Sequence, residues 1–121
     1  MKIYKNFNVS KKFESSAIAI GNFDGFHLGH QKVIKSGKYL ARKHKLKFGL
    51  LVFHPLPVMF FNKKIKNFRI DSLKQKIETS KKLGIDFIII KTFDKKFSQT
   101  SAENFIGHVL HKKLKTKLIF I

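Results

Sequence analysis

The chain has 121 residues, enough for one modest domain that buries about two-thirds of the surface its unfolded form would expose. Hydrophobic residues make up 43% of it, which excludes a disordered polyelectrolyte despite a formal net charge of +19. Cysteine is absent, so disulfides, thiolate nucleophiles and zinc–thiolate sites are excluded; no apolar run approaches the roughly 20 residues of a membrane span, and the expectation is a soluble cytoplasmic protein with no membrane partner.

In chain order, Ala17–Gly21 (AIAIG) is a short apolar run ending in glycine, the pattern of a parallel strand buried on both faces. From His30 onward, Val33, Ile34, Gly37, Leu40, Ala41 and His44 recur at helical spacing. Lys47–Phe53 (KFGLLVF) reads as a second strand, closed by Pro55 and Pro57, and a loop follows from about Phe60 to Ile70. Ser72-x-x-Gln75 is a capping box, with Leu73, Ile77, Ser80 and Leu83 on one face behind it and Gly84 at the C′ position. Asp86–Lys91 (DFIIIK) predicts a third strand. Thr100-x-x-Glu103 predicts a second capping box, opening a helix with Ala102, Phe105, Ile106, Val109 and Leu110 on one stripe. Lys117–Ile121 (KLIFI) predicts a fourth strand.

Strands and helices that alternate in this way predict an α/β fold, a Rossmann-like parallel sheet with flanking helices and right-handed crossovers. Ligands in such sheets bind beyond the carboxyl ends of the strands, near the topological switch point. The first strand ends at Gly21, so the loop Asn22, Phe23, Asp24, Gly25 and the following helix start are the candidate site. Gly21 and Gly25 are expected to allow positive φ and close approach of a ligand. Free N–H groups at the helix start suit phosphate oxygens. His27 and His30, three apart, are placed to donate hydrogen bonds to an α-phosphate, and Gly29 between them leaves room for a nucleotide. A glycine-containing strand–helix turn also occurs in many α/β proteins without phosphate, and a His pair at this spacing is commonly only surface polarity. His108 and His111 share the spacing without a glycine loop and read as helix-surface residues rather than metal ligands.

His27-Leu28-Gly29-His30 resembles the HxGH signature of the nucleotidyltransferase superfamily. The longer string GNFDGFHLGHQKVI is similar to the opening motif of prokaryotic FMN adenylyltransferase, the FAD synthetase module of bifunctional riboflavin kinase/FAD synthetase. LVFHPLP, SLKQKIETSKKLGIDFIIIKTFD and FSQTSAENFIGHVL fit the same family in register, so the resemblance runs from about Ala17 to Ile121. It implies transfer of AMP from ATP to FMN, giving FAD and pyrophosphate, with Mg²⁺. It also implies that His27 and His30 contact the ATP phosphates, that Gly21, Asn22, Phe23, Asp24, Gly25 and Gly29 cradle the nucleotide, and that Pro55 and Pro57 lie on the flavin side.

Two departures accompany the match. Leu56 replaces the histidine of the family's F-x-P-H-P, while His54 stands two places earlier, where an acid is usual. The family's later G-x-D-F-x-F-G-like and S-S-T-x-I-R-like segments and its riboflavin kinase domain have no counterpart here. Residues 1–121 therefore read as the N-terminal part of the domain, truncated after about the fourth strand, with a second chain as a candidate for the remainder and with activity in isolation in doubt. The alternatives are a non-catalytic nucleotide-binding remnant or a basic nucleic-acid-binding module. Against the latter, the 26 cations include only two arginines, Arg42 and Arg69, and the lysines are spread along the whole chain, so no specific nucleic acid is expected.

Overall fold

The computed structural model describes residues 1–21, Phe23, residues 28–54 and residues 73–121. Five strands form one parallel sheet: β1 (Lys2–Tyr4), β2 (Ala17–Ile20), β3 (Phe48–His54), β4 (Phe87–Thr92) and β5 (Leu118–Phe120), in the spatial order β1-β4-β3-β2-β5. The helices are α1 (Leu28–Lys43), α2 (Leu73–Lys82), the short α3 (Lys95–Ser98) and α4 (Ala102–Asn104), which runs directly into α5 (Phe105–Lys113).

The expected Rossmann-like sheet is present, with one more strand than the apolar runs suggested. β1 is only three residues, KIY, and two of them are exposed. Its strand character comes from pairing with β4, Ile3 opposite Ile88 and Tyr4 opposite Ile89, and no isolated three-residue segment signals that.

Alternation along the strands divides the core into two layers. Ala17 and Ala19 of β2, Phe48, Leu50 and Val52 of β3, and Ile88 and Ile90 of β4 face one side with Ile34 and Ala41 of α1; Leu73 and Ile77 of α2 pack against them. Ile18, Leu51, Phe87 and Ile89 face the other side, covered by Phe7 and Phe13 of the N-terminal segment and by Leu110 and Leu114 at the end of α5. Both faces of the sheet are covered, which is why its strands read as nearly continuous apolar runs.

Two glycines set distances in this packing. A Cβ on Gly37 of α1 would lie 2.8 Å from the Phe48 ring, so its absence lets α1 approach β3. A Cβ on Gly49 would lie 2.3 Å from Phe87, whose ring occupies the space that a side chain on β3 would fill.

Several local expectations are adjusted. Ser101, not Thr100, caps α4, its hydroxyl accepting from the Asn104 N–H at 3.1 Å. The stripe assigned to Ala102, Phe105, Ile106, Val109 and Leu110 is broken: Ala102 and Ile106 are exposed. Ala102 stands in α4, ahead of the π-helical turns; at Ile106 the reason is that α5 is π-helical, closed at its end by the Leu114 N–H donating to the Val109 carbonyl, and the i→i+5 spacing turns the half-buried Phe105 and Val109 and the buried Leu110 and Leu114 toward the sheet. His44, expected on the α1 face, lies just beyond the helix and is exposed. The α2 face is as expected, with Ser80 buried, although it also buries Lys76. Gly84 ends that helix at φ 76, the left-handed C′ conformation that glycine adopts without strain. Ser72 and the residue 60–70 loop lie outside the described residues.

Candidate functional site

The sheet order places the switch point at β2. The chain passes from β2 through α1 to β3 on one side, and later returns to pair β5 against the other side of β2. α1 covers one face of the sheet and α5 the other, so the crevice between diverging connections opens at the carboxyl end of β2, beside Gly21. Gly21 is tied to the sheet by its N–H, which donates to the Leu51 carbonyl at 3.2 Å.

α1 starts at Leu28, with Gly29 and His30 in its first turn. Leu28 is 77% exposed and Gly29 is also open to solvent, whereas His30 is half-buried. The first turn holds no acidic side chain, which leaves the positive end of the helix dipole available to an anion.

Gly21, Phe23, Gly29 and His30 are thus gathered at one end of the sheet, at the place expected. His27, Asn22, Asp24, Gly25, Pro55, Leu56 and Pro57 lie outside the described residues, as does the side chain of His54. Two details differ from expectation. Positive φ falls on Phe23, at 51°, and not on Gly21. Phe23 is also 5% exposed and belongs to the core layer with Ala17, Ala19 and Ile34, so its ring faces the core instead of a bound nucleotide. That ring lies against Gly21 and also against the His30 imidazole, with the two ring centroids 5.4 Å apart and planes at 69°.

A second feature escaped the sequence reading. Phe53 near the end of β3, Phe93 just beyond β4, Phe97 of α3 and Phe105 of α5 form a ring cluster, with Phe53–Phe97 centroids at 5.4 Å and Phe93–Phe97 at 5.7 Å. Phe7 joins it at 6.2 Å from Phe97, and the Lys91 ammonium lies 5.5 Å from the Phe97 centroid. Fourteen phenylalanines in the chain give no linear signal of which five converge; α3 and its cap Asp94 bring them together.

Elsewhere, a groove of about 470 Å³ between α1 and α2, lined by Lys35, Lys38, Tyr39, Arg42 and Lys82, lies toward the opposite end of the strands. Arg42 there makes a bidentate pair with Asp86, at 2.8 and 3.1 Å. Burial raises the Asp86 pKa, but the Arg42 hydrogen bond, the Phe48 N–H donating to the carboxylate and the Arg42 and Lys47 charges outweigh it and hold the carboxyl below its ordinary value. His108 and His111 are exposed on α5, and among the described residues no group of three or more His, Cys, Asp or Glu converges on a metal position. No helix among the described residues is long and apolar enough to cross a membrane.

Residues 9–121 match the FAD synthetase family. The bifunctional riboflavin kinase/FMN adenylyltransferase of Buchnera aphidicola subsp. Schizaphis graminum is 38% identical over 122 residues, covering 100% of this chain and 39% of that protein. The Escherichia coli K12 protein of the same description is 31% identical over 108 residues, 89% of this chain and 34% of its own length. The chain therefore spans well under half of the curated relatives it matches. A solved structure of a macrolide-efflux protein from Streptococcus pneumoniae superposes with a TM-score of 0.80 at 22% identity, covering 97% of this chain and 45% of that one, a likeness of fold.

Proposed function

The chain belongs to the FAD synthetase family, and from that membership we propose that its Gly21–His30 turn is the ATP side of an FMN adenylyltransferase site. The observation that carries the reading is the meeting of three features at one point: the switch point at β2, the open first turn of α1, and His30 held at that turn. Residues 1–121 are read as the N-terminal part of the nucleotidyltransferase domain.

In this reading an FMN phosphate oxygen attacks the α-phosphorus of ATP. A new P–O bond forms as the bond to the β-phosphate bridging oxygen breaks, and pyrophosphate leaves. No covalent enzyme intermediate is required, so the protein's part is positioning and electrostatics. The His30 imidazole donates to an α-phosphate oxygen as charge builds there, with His27 as its companion. Gly29 and the backbone of Gly21 to Gly25 lie along the triphosphate, and Pro55 and Pro57 border the flavin. Mg²⁺ would enter with the substrate as MgATP and neutralise charge on the phosphates. The setting proposed is the cytoplasm, without sequence-specific nucleic acid contact.

A second polypeptide completing the site belongs to the same proposal. Ile119 of β5 is 43% exposed, and a groove of about 430 Å³ between β5 and α1 is lined by Val33, Ser36, Ile119 and Phe120. The alternative is a nucleotide-binding chain of the same fold without turnover.

The test measures FAD and pyrophosphate from MgATP and FMN, with the chain alone and with the remaining part of a relative added in trans. FAD formation that falls by about 10²–10³ in His30→Ala supports the transfer reading. Near-normal turnover in His30→Ala overturns it, and ATP binding without product under either condition favours the non-catalytic alternative.

A further inference from the structure

We propose that Phe23 is the positioning residue for His30, a core-anchored wedge that sets the angle and depth of the imidazole at the start of α1. The proposal rests on the reading of His30 as the donor to the α-phosphate, and it deepens that reading by naming what holds the donor in place.

A bulky residue at φ 51 is a backbone outlier, and such a conformation persists only where the surroundings over-determine it. Here the surroundings are visible. The Phe23 side chain is 5% exposed and packs in the layer formed by Ala17, Ala19, Ile34, Phe48 and Leu50. A phenylalanine in a strand-to-helix loop at the ligand end of a sheet has two destinations, the ligand or the core. The left-handed backbone at Phe23 goes with the second.

Gly21 makes that destination possible. A Cβ there would lie 3.2 Å from Cε2 and 3.3 Å from Cζ of Phe23, closer than a relaxed contact. Its backbone is not in the left-handed region, so at this position glycine supplies space for a ring and not conformational freedom. The same ring meets His30 edge-to-face, at 5.4 Å and 69°, a favoured arrangement for aromatic pairs. Gly21, Phe23 and His30 are therefore neighbours in one contiguous contact: sheet end, wedge, imidazole. A donor must be held to a fraction of an ångström to matter in a transition state, and displacement of about 1 Å is enough to cost about 10²-fold in rate. Phe23 touches no reacting atom in this scheme.

Proton NMR of the intact chain tests this without relying on turnover. The imidazole resonances of His30, identified by their absence in His30→Gln, are displaced by the Phe23 ring current. In Phe23→Leu, which keeps apolar bulk and removes the ring, they are expected to move toward the positions of a solvated imidazole, while those of His44, His108 and His111, away from the turn, stay in place. Gly21→Ala retains the ring but presses on it, and is expected to move the His30 resonances in a folded protein. Each spectrum is recorded below the variant's own melting temperature, with far-UV circular dichroism as the check of folding. His30 resonances unchanged in Phe23→Leu, or in Gly21→Ala where Phe23→Leu does not fold, overturn the proposal. Where FAD is formed, Phe23→Leu is expected to lower kcat by about 10²-fold with KM for ATP little altered. A rise in KM for ATP with kcat unchanged would make Phe23 a nucleotide contact and overturn the wedge. Resonances that move in a chain making no FAD leave the wedge standing and count against the transfer reading alone.

Discussion

Asp86 shows how much a single carboxylate can join. It takes both guanidinium nitrogens of Arg42 from α1 and the N–H of Phe48 at the start of β3, while its own residue leads into β4. Its folded pKa lies below the ordinary value because these donors and nearby charges outweigh burial. The contribution is therefore complete above the unfolded carboxylate pKa of about 4, and is lost as pH falls through the lower folded value. Urea denaturation at a series of pH values should show stability declining on the acid side in the wild type. In Asp86→Asn that decline should be shallower, with stability near neutrality lower by about 1–3 kcal/mol. The residue types of the turn were legible in sequence, since Gly21, Gly29 and His30 all stand at the strand end and helix start. The burial of Phe23 was not, because nothing in the string GNFDG says which way a ring turns.

Among the elements, those with a strong internal pattern were predictable and those made by their neighbours were not. β2, β3 and β4 are apolar runs, and α1 and α2 carry buried positions at helical spacing, so each announces itself. β1 exists because β4 presents an unpaired edge to Lys2–Tyr4. At the last helix the capping signal was one residue off: both Thr100 and Ser101 have cap chemistry, and only backbone geometry selects between them. Ser101 has extended backbone, φ −69 and ψ 158, and its hydroxyl bonds to Asn104. Ser101→Ala should cost about 1 kcal/mol in chemical denaturation, and Thr100→Ala less than about 0.5 kcal/mol. The reverse order would restore the original capping box. π-winding of α5 follows the same logic, since a 3.6-residue reading cannot anticipate which carbonyls a helix will choose under the load of packing on the sheet.

For the molecule as a whole, charge opposes compactness. With a formal charge of +19 spread over one small domain, self-repulsion in the folded state exceeds that in the expanded chain. Screening shortens from about 30 Å at 0.01 M salt to about 8 Å at 0.15 M, so the melting temperature should rise over that range. A fall on adding salt would show that the Arg42–Asp86 pair and its like outweigh the repulsion. On the same scale, the fold class, the parallel sheet and the placing of the candidate turn at the end of β2 were determined by the sequence itself, because hydrophobic periodicity, glycines and caps act over a few neighbouring residues. Only the tertiary structure decided the fifth strand, the two sides of β2 that make it the switch point, the convergence of five phenylalanine rings, and the burial of Phe23 against Gly21 and His30. Each of those depends on surfaces distant in the chain becoming adjacent, and the free energy of such contacts belongs to the pair and not to either residue alone.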